Sequence, residues 1–100
     1  MDRLGMMEVF VLAVETGSFS AVGRRLGLGQ PTVSRLIAQL EERLGSRLLL
    51  RSTRGLAPTE AGEAYYRRAR EILAQVSEAD AMVQQCRAGL SGRLRVSAPV

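Results

Sequence analysis

Apolar residues recur three and four positions apart over the first 44 residues, which is the period of an α-helix with one buried face. Glycines interrupt this pattern twice, so the sequence predicts three short helices. The first begins after Asp2 and ends at Gly17, and the second covers about residues 20–26, with Ser18 or Ser20 as its cap. The third runs from Gln30 to about Leu44. The apolar stripes predicted for the first and third helices comprise Leu4, Met7, Phe10, Val11 and Val14, and Val33, Ile37, Leu40 and Leu44.

The pattern changes between residues 47 and 58. A run of three leucines at 48–50 and a second apolar stretch at 56–58 flank a polar, basic turn that contains Gly55. Short apolar runs around a glycine-containing turn are typical of a two-stranded hairpin. Together with the helices before it, the hairpin completes a predicted domain over residues 1–58 that is mainly α-helical.

A single long helix is predicted after Thr59, where two glutamates suit the positive end of a helix dipole. Its apolar positions alternate between spacings of four and three, which is the 3.5-residue repeat of a coiled coil. Over residues 59–90 such a helix is about 45 Å long, more than the first 58 residues can cover. We therefore expect a second chain as its partner, with packing against its own domain as the alternative. The predicted seam and dimer interface comprise Tyr65, Ala69, Ile72, Val76, Ala79, Val83, Cys86 and Leu90.

The last residues predict a change of structure. Gly89 and Gly92 are expected to end the long helix, and residues 93–98 alternate polar and apolar positions as a strand does. A lone strand has no sheet to join in this sequence. We therefore expect residues 91–100 to be the start of a further domain.

The composition argues against several classes of protein. With no histidine and one cysteine, the chain lacks an internal disulfide, the common ligands of a structural zinc site and the usual general base at neutral pH. Its longest apolar run, residues 9–14, is far shorter than the roughly 20 residues that span a bilayer. We expect a cytoplasmic chain that is not an enzyme, contacts no membrane and needs no cofactor or metal.

Charge is distributed unevenly along the chain, whose net charge is +4. All 14 basic residues are arginine, a preference that GC-rich coding can explain, but residues 20–58 carry seven arginines and only two glutamates. The flanking residues 1–19 and 59–88 are slightly acidic. A basic middle between such flanks is typical of a protein that binds a polyanion, usually nucleic acid.

Helix, glycine-containing turn, helix and basic hairpin together predict a helix-turn-helix with a wing. The two helices must cross closely, and Gly23 is the small residue expected to face Val33 at that crossing. Because Val33 and Ile37 face inward, the first turns of the third helix are free to enter the major groove of DNA. Polar side chains there can bond base edges or phosphates. The outward set comprises Gln30, Pro31, Thr32, Ser34 and Arg35.

Six motifs are spaced along the chain: Gly17-Ser18-Phe19-Ser20, Arg25-Leu26-Gly27-Leu28, Gln30-Pro31-x-Val33-Ser34-Arg35-x-Ile37, Leu40-Glu41-x-x-Leu44-Gly45, Leu48-x-x-Arg51 and Leu56-x-x-Thr59-x-x-Gly62. Together they resemble the N-terminal region of LysR-type transcriptional regulators. The resemblance covers about residues 2–90 without a gap. Two positions depart from the family, which commonly has serine where this chain has Gly29 and alanine where it has Gly23.

The resemblance implies a winged helix-turn-helix followed by a linker helix that dimerises as an antiparallel coiled coil. It also implies an effector-binding domain of periplasmic-binding-protein type after residue 90, and a small-molecule effector would bind only there. Position by position, it implies that the groove-reading residues are Gln30, Pro31, Ser34 and Arg35. The residues that it implies for phosphate contacts are Ser20, Thr32 and Arg51, with Thr53 and Arg54 at the tip of the wing.

The sequence therefore predicts the DNA-binding domain of a bacterial transcriptional regulator, bound as a homodimer to two half-sites of double-stranded DNA. The alternative is a coiled-coil module for protein interaction with no specific DNA partner, and salt-dependent DNA binding separates the two. Four further arginines stay open between phosphate contacts and pairing with Glu41 and Glu42: Arg24, Arg25, Arg43 and Arg47.

Overall fold

Four helices and one two-stranded hairpin make up the computed structural model, which describes residues 2–93. In chain order they are α1 (Arg3–Thr16), α2 (Phe19–Leu26), α3 (Gln30–Leu44), β1 (Leu49–Ser52), β2 (Gly55–Pro58) and α4 (Glu60–Arg93). The predicted mainly α-helical, winged helix-turn-helix architecture with a long helix after the wing is confirmed. None of these four helices has both the length and the hydropathy that crossing a membrane requires.

Local signals set the ends of the helices. The side chains of Asp2, Ser18 and Thr59 accept hydrogen bonds from backbone N–H groups three residues ahead, at 3.0, 3.2 and 2.9 Å. Because Ser18 is the cap, α2 begins at Phe19, one residue earlier than predicted. Gly29 precedes α3 without a side-chain cap. Left-handed glycines follow the first three helices, at Gly17, Gly27 and Gly45.

Helix α1 lies at the centre of the core and is buried on two sides. One side packs on α2 and α3 through a cluster that includes Phe10, and the other packs Met7 and Val11 on Ala69 of α4. The predicted stripe is wrong at Leu4, which is 39% exposed, and it is too narrow. A helix that is covered on two sides needs apolar residues around most of its circumference. The buried residues that the stripe missed are Met6, Val9 and Ala13.

Two glycines let backbones cross more closely than a side chain would permit. A Cβ at Gly23 would overlap the carbonyl oxygen of Leu28, so the close contact is with the turn before α3, which corrects the predicted contact with Val33. A Cβ at Gly62 would overlap the carbonyl oxygen of Leu48, just ahead of β1. Gly62 therefore lets the first turn of α4 lie directly on the segment that leads into the wing.

The wing is the antiparallel hairpin of β1 and β2. Residues 53 and 54 form its turn, and Gly55 follows with a φ of 119°, which confirms the predicted bend. The N–H of Leu56 donates to the carbonyl oxygen of Gly17 at 3.1 Å and so ties the wing to the end of α1. The register pairs Leu49 with Pro58, Leu50 with Ala57, Arg51 with Leu56 and Ser52 with Gly55.

Helix α4 packs on its own domain for only part of its length. Tyr65 is half-buried and Ala69 is fully buried against α1, so these two residues of the predicted seam contact their own chain. Ala69 has no exposed surface left for a partner, which corrects its assignment to the dimer interface. Tyr65 is only partly covered, and its assignment stays a prediction. The seam positions that follow are exposed: Ile72, Val76, Ala79, Val83 and Cys86.

The far end of α4 also differs from the prediction. The helix continues through Gly89 and Gly92 to Arg93, the last residue that the structure describes. A glycine weakens a helix by about 1 kcal/mol but keeps its N–H donor, so it does not have to end one. Residues 94–100 lie outside the described residues. They include most of the strand predicted over residues 93–98 and of the further domain expected from residue 91, so both stay predictions.

Candidate nucleic-acid interface

The first turns of α3 present a polar face because apolar residues fix the rotation of the helix. Val33 and Ile37 are buried, whereas Leu44 in the last turn is 38% exposed, which corrects its place in the predicted apolar stripe. The first turn of α3, residues 30–33, carries no acidic residue that would repel a phosphate. On the outward face Gln30, Pro31 and Arg35 are exposed, and Thr32 and Ser34 are partly buried.

A hydrogen bond between two side chains joins α2 to the start of α3. The Ser20 hydroxyl donates to Oε1 of Gln30 at 3.1 Å, across ten residues of sequence. Both side chains lie at the surface, so the bond holds the Gln30 amide on the outer face of the helix-turn-helix. A residue predicted to contact phosphate and one predicted to read bases are therefore neighbours in space.

Arg51 joins the wing to α3. Its Nη2 donates to Oγ of Ser34 at 2.5 Å, and its guanidinium carbon lies 4.8 Å from the centre of the Phe19 ring. The guanidinium carries more N–H groups than this contact uses, so Arg51 keeps donors for a phosphate. Sequence reasoning gave Arg51 and Ser34 separate roles and missed the part played by Phe19, since no local pattern links residues so far apart.

A polar hollow of about 380 Å³ lies between the start of α2 and the wing. Hydroxyl, amide and guanidinium groups line this hollow, and such donors are the groups that contact DNA phosphates. The hollow gathers most of the predicted phosphate and wing residues, whereas Thr32 lies on α3 outside it. Its polar lining includes Ser18, Ser20, Gln30, Arg51, Thr53 and Arg54.

Glu41 fastens the start of the wing to α3. Its Oε2 accepts hydrogen bonds from the N–H groups of Leu48 at 2.8 Å and Leu49 at 3.1 Å. The Nε of Arg47 lies 3.7 Å from the same oxygen, so Arg47, whose role the sequence left open, pairs with this glutamate. The sequence analysis did not predict this role of Glu41. The signal that could have indicated it is that Glu41 belongs to the motif Leu40-Glu41-x-x-Leu44-Gly45.

Two tyrosines hold the start of α4 against α1. The ring of Tyr65 meets Phe10 edge-on with 5.5 Å between centroids, and its buried hydroxyl has no hydrogen-bond partner within residues 2–93. Burial raises the pKa of Tyr65, and the charge of Arg3 opposes that shift. The Tyr66 hydroxyl donates to Oε2 of Glu15 at 2.9 Å. Desolvation is the main cause that raises the pKa of Tyr66, and the hydrogen bond and charge of Glu15 raise it further. These contacts set the direction in which α4 leaves the domain.

Comparison with known sequences identifies relatives over most of the chain. The model of bacterial regulatory helix-turn-helix proteins of the lysR family matches residues 4–63. An HTH-type transcriptional regulator of Haemophilus influenzae is 40% identical over 99 residues, which are 99% of this chain and 34% of the relative. An HTH-type transcriptional regulator of Xanthomonas campestris is 45% identical over 91 residues, which are 91% of this chain and 26% of the relative. The chain thus spans about a third or less of these relatives.

Solved structures of similar shape include complexes with DNA. The BenM DNA-binding domain, solved with benA site 1 DNA, matches with a TM-score of 0.81 and 35% identity over 89% of this chain and 99% of that one. The CbnR DNA-binding domain, also solved with DNA, matches with a TM-score of 0.76 and 33% identity over 85% of this chain and 97% of that one. With a family model that matches more than half of its length and a fold shared with these domains, the chain belongs to the LysR family of bacterial regulatory helix-turn-helix proteins.

Proposed function

We propose that this chain is the sequence-specific DNA-binding and dimerising part of a cytoplasmic transcriptional regulator. The observation that carries the proposal is the continuous polar and basic surface formed by the first turns of α3, the start of α2 and the wing. Residues 20–58 also contain half of the arginines of the chain. The BenM and CbnR domains, which have the same fold, were solved bound to DNA, and this supports the same use of the surface here.

The proposal divides the surface into base-reading and backbone-contacting residues. Arg35 is exposed near the start of α3, where a guanidinium can bridge two acceptors of guanine, and the Gln30 amide can pair with adenine. Ser34 and Pro31 complete the base-reading set, and the bond from Ser34 to Arg51 couples that set to the wing. The residues proposed to contact the DNA backbone or lie at the wing are Ser20, Thr32, Arg51, Thr53 and Arg54.

Dimerisation through the outer part of α4 belongs to the same proposal. Ile72, Val76 and Val83 are 37%, 36% and 63% exposed although they are apolar and share the coiled-coil spacing. Since Ala69 is fully buried against α1, the proposed interface consists mainly of the seam from Ile72 onward, with the exposed part of Tyr65 at its near end. Two protomers joined in this way would present two recognition helices to half-sites that are separated by whole helical turns. We further propose that the full-length regulator binds its small-molecule effector in a domain that follows this chain.

Selection of bound duplexes from a random DNA library tests the proposed function. We expect the chain to enrich one sequence pattern that occurs as two half-sites. Its affinity should fall steeply as salt rises, because binding releases counterions from the phosphates that arginine neutralises. A chain that dimerises but enriches no sequence and shows no salt-dependent binding would contradict the proposal and favour a coiled-coil module for protein interaction.

A further inference from the structure

A carboxylate lies within the basic surface where DNA is proposed to bind. Glu41 lines a hollow of about 220 Å³ together with Ser34 of the reading face and with Arg47 and Arg51. Its side chain is only 16% exposed. A negative charge in this place repels phosphates and weakens DNA binding by simple electrostatics. We therefore expect Glu41 to favour DNA binding in some other way that offsets this repulsion, and its hydrogen bonds to the wing indicate how.

Besides its ion pair with Arg47, Oε2 of Glu41 accepts two hydrogen bonds from the backbone at the start of the wing. Leu48 and Leu49 are 2% and 3% exposed, so their N–H groups cannot turn to bulk water and need acceptors within the protein. Glu41 supplies one oxygen for both N–H groups. A carboxylate is a stronger acceptor than a neutral group, so these two bonds hold the segment firmly on α3.

The same segment is held from its other side by the residue that caps α4. The N–H of Thr59 donates to the carbonyl oxygen of Leu48 at 3.0 Å. The hydroxyl of Thr59 donates to the carbonyl oxygen of Arg47 at 2.6 Å. Residues 47–49 are therefore fixed between α3 and α4. Arg51 follows two residues after Leu49 in β1, so the place of its guanidinium against Ser34 and Phe19 depends on where β1 begins.

We propose that Glu41 is a positioning residue for DNA binding: it fixes β1 on α3 and thereby sets the wing and Arg51 at a defined distance from the base-reading residues. This inference rests on the proposed DNA-binding function. It predicts an effect opposite in sign to the electrostatic one, because removing the charge of Glu41 releases the wing and lowers affinity even though a repulsive charge is lost.

Replacement of Glu41 and of its neighbour Glu42 separates the two effects. Glu42 is exposed on the same helix, so Glu42→Ala removes the same charge without releasing the wing. We expect Glu42→Ala to bind the selected duplex as tightly as the wild type or more tightly. Glu41→Ala is expected to bind about tenfold more weakly, with a salt slope lower by about one unit because one phosphate contact is lost. Hydrogen exchange at the amides of Leu48 and Leu49 should become faster in Glu41→Ala alone.

Binding is measured at a temperature where circular dichroism shows every variant folded, so that a residue contributing to stability alone would leave affinity and salt slope unchanged. Glu41→Asp, which keeps the charge but is one methylene shorter, serves if Glu41→Ala does not fold, and it too should bind more weakly than the wild type. The inference is overturned if the Glu41 variants bind as tightly as Glu42→Ala with an unchanged salt slope. A wild-type chain that does not bind DNA would instead overturn the proposed function itself.

Discussion

Arg51 ties the wing to the recognition helix through two contacts of different kinds. It donates to the hydroxyl of Ser34, and its charge lies over the ring of Phe19. Arg51 is thus held in place by Ser34, which is proposed to read bases, and by Phe19, the first residue of α2. Because three elements orient one guanidinium, the phosphate contact proposed for Arg51 would need little further ordering, which would lower the entropic cost of binding.

Tyr65 gives a prediction at the same scale. Its hydroxyl is buried without a partner among the described residues, while its ring packs on Phe10. Tyr65→Phe keeps the ring and removes the unsatisfied group, so we expect the free energy of unfolding to rise by about 1 kcal/mol at neutral pH. Chemical denaturation of both proteins measures the difference. A clear loss of stability would show that the hydroxyl is satisfied in solution.

The pH dependence of the same variant supplies a second check. When folding raises the pKa of a tyrosine, ionisation is easier in the unfolded chain, so the free energy of unfolding falls as pH rises above the unfolded pKa, near 10.0, and through the folded value. The wild type should therefore lose stability above about pH 10. Tyr65→Phe should lose less stability over the same pH range. The stability that it still loses is expected to come in part from Tyr66, whose pKa is also raised.

At the scale of elements, the sequence predicts most of what depends on neighbours along the chain. The bounds of α3 and the place of the hairpin follow from periodicity and glycine, and the caps Ser18 and Thr59 bond N–H groups only three residues ahead. What covers an apolar face depends on the tertiary fold. The stripe of α1 is therefore predicted too narrowly, and one uninterrupted repeat in α4 serves two surfaces, with Ala69 against α1 and Ile72 in solvent.

The candidate site also has a part that the sequence predicts, within one helix, and a part that depends on contacts between elements. The residues proposed to read bases share one face of one helix, so their spacing alone brings them together. The contacts of Arg51 with Ser34 and of Glu41 with residues 48 and 49 join different elements, and no spacing in the sequence encodes them. These cross-element contacts decide how the wing lies relative to α3.

Gly62 tests the junction between the wing and α4. Helix propensity alone predicts that Gly62→Ala stabilises the protein by about 1 kcal/mol. The added Cβ would overlap the carbonyl oxygen of Leu48, which is backbone and cannot rotate away, so we expect a loss of about 1–3 kcal/mol instead. Thermal denaturation decides between the two signs. Ala61→Ser, at an exposed position of the same turn, is the control and should change stability by less than about 0.5 kcal/mol.

At the scale of the whole molecule, the exposed apolar row of α4 is the surface proposed to join two DNA-binding domains. We expect the double variant Ile72→Asp, Val76→Asp to be a folded monomer by sedimentation at micromolar concentration, because two charges per chain cannot be buried in a coiled-coil seam. Ala74→Asp with Ser77→Asp introduces the same charges at exposed positions off the seam and should remain dimeric. A wild-type chain that is itself monomeric would contradict the proposed interface.

The central claim is that the first turns of α3 read bases while the wing contacts the DNA backbone. The most direct test is the affinity of Arg35→Ala and Arg51→Ala for a selected and a random duplex at several salt concentrations, with Arg67→Ala on the exposed surface of α4 as the charge-matched control. Arg35→Ala should lose roughly 1–3 kcal/mol on the selected duplex and much less on the random one. Arg51→Ala should weaken both similarly and lower the salt slope by about one unit. An equal loss on both duplexes for Arg35→Ala would contradict the assignment of α3 as the element that reads sequence.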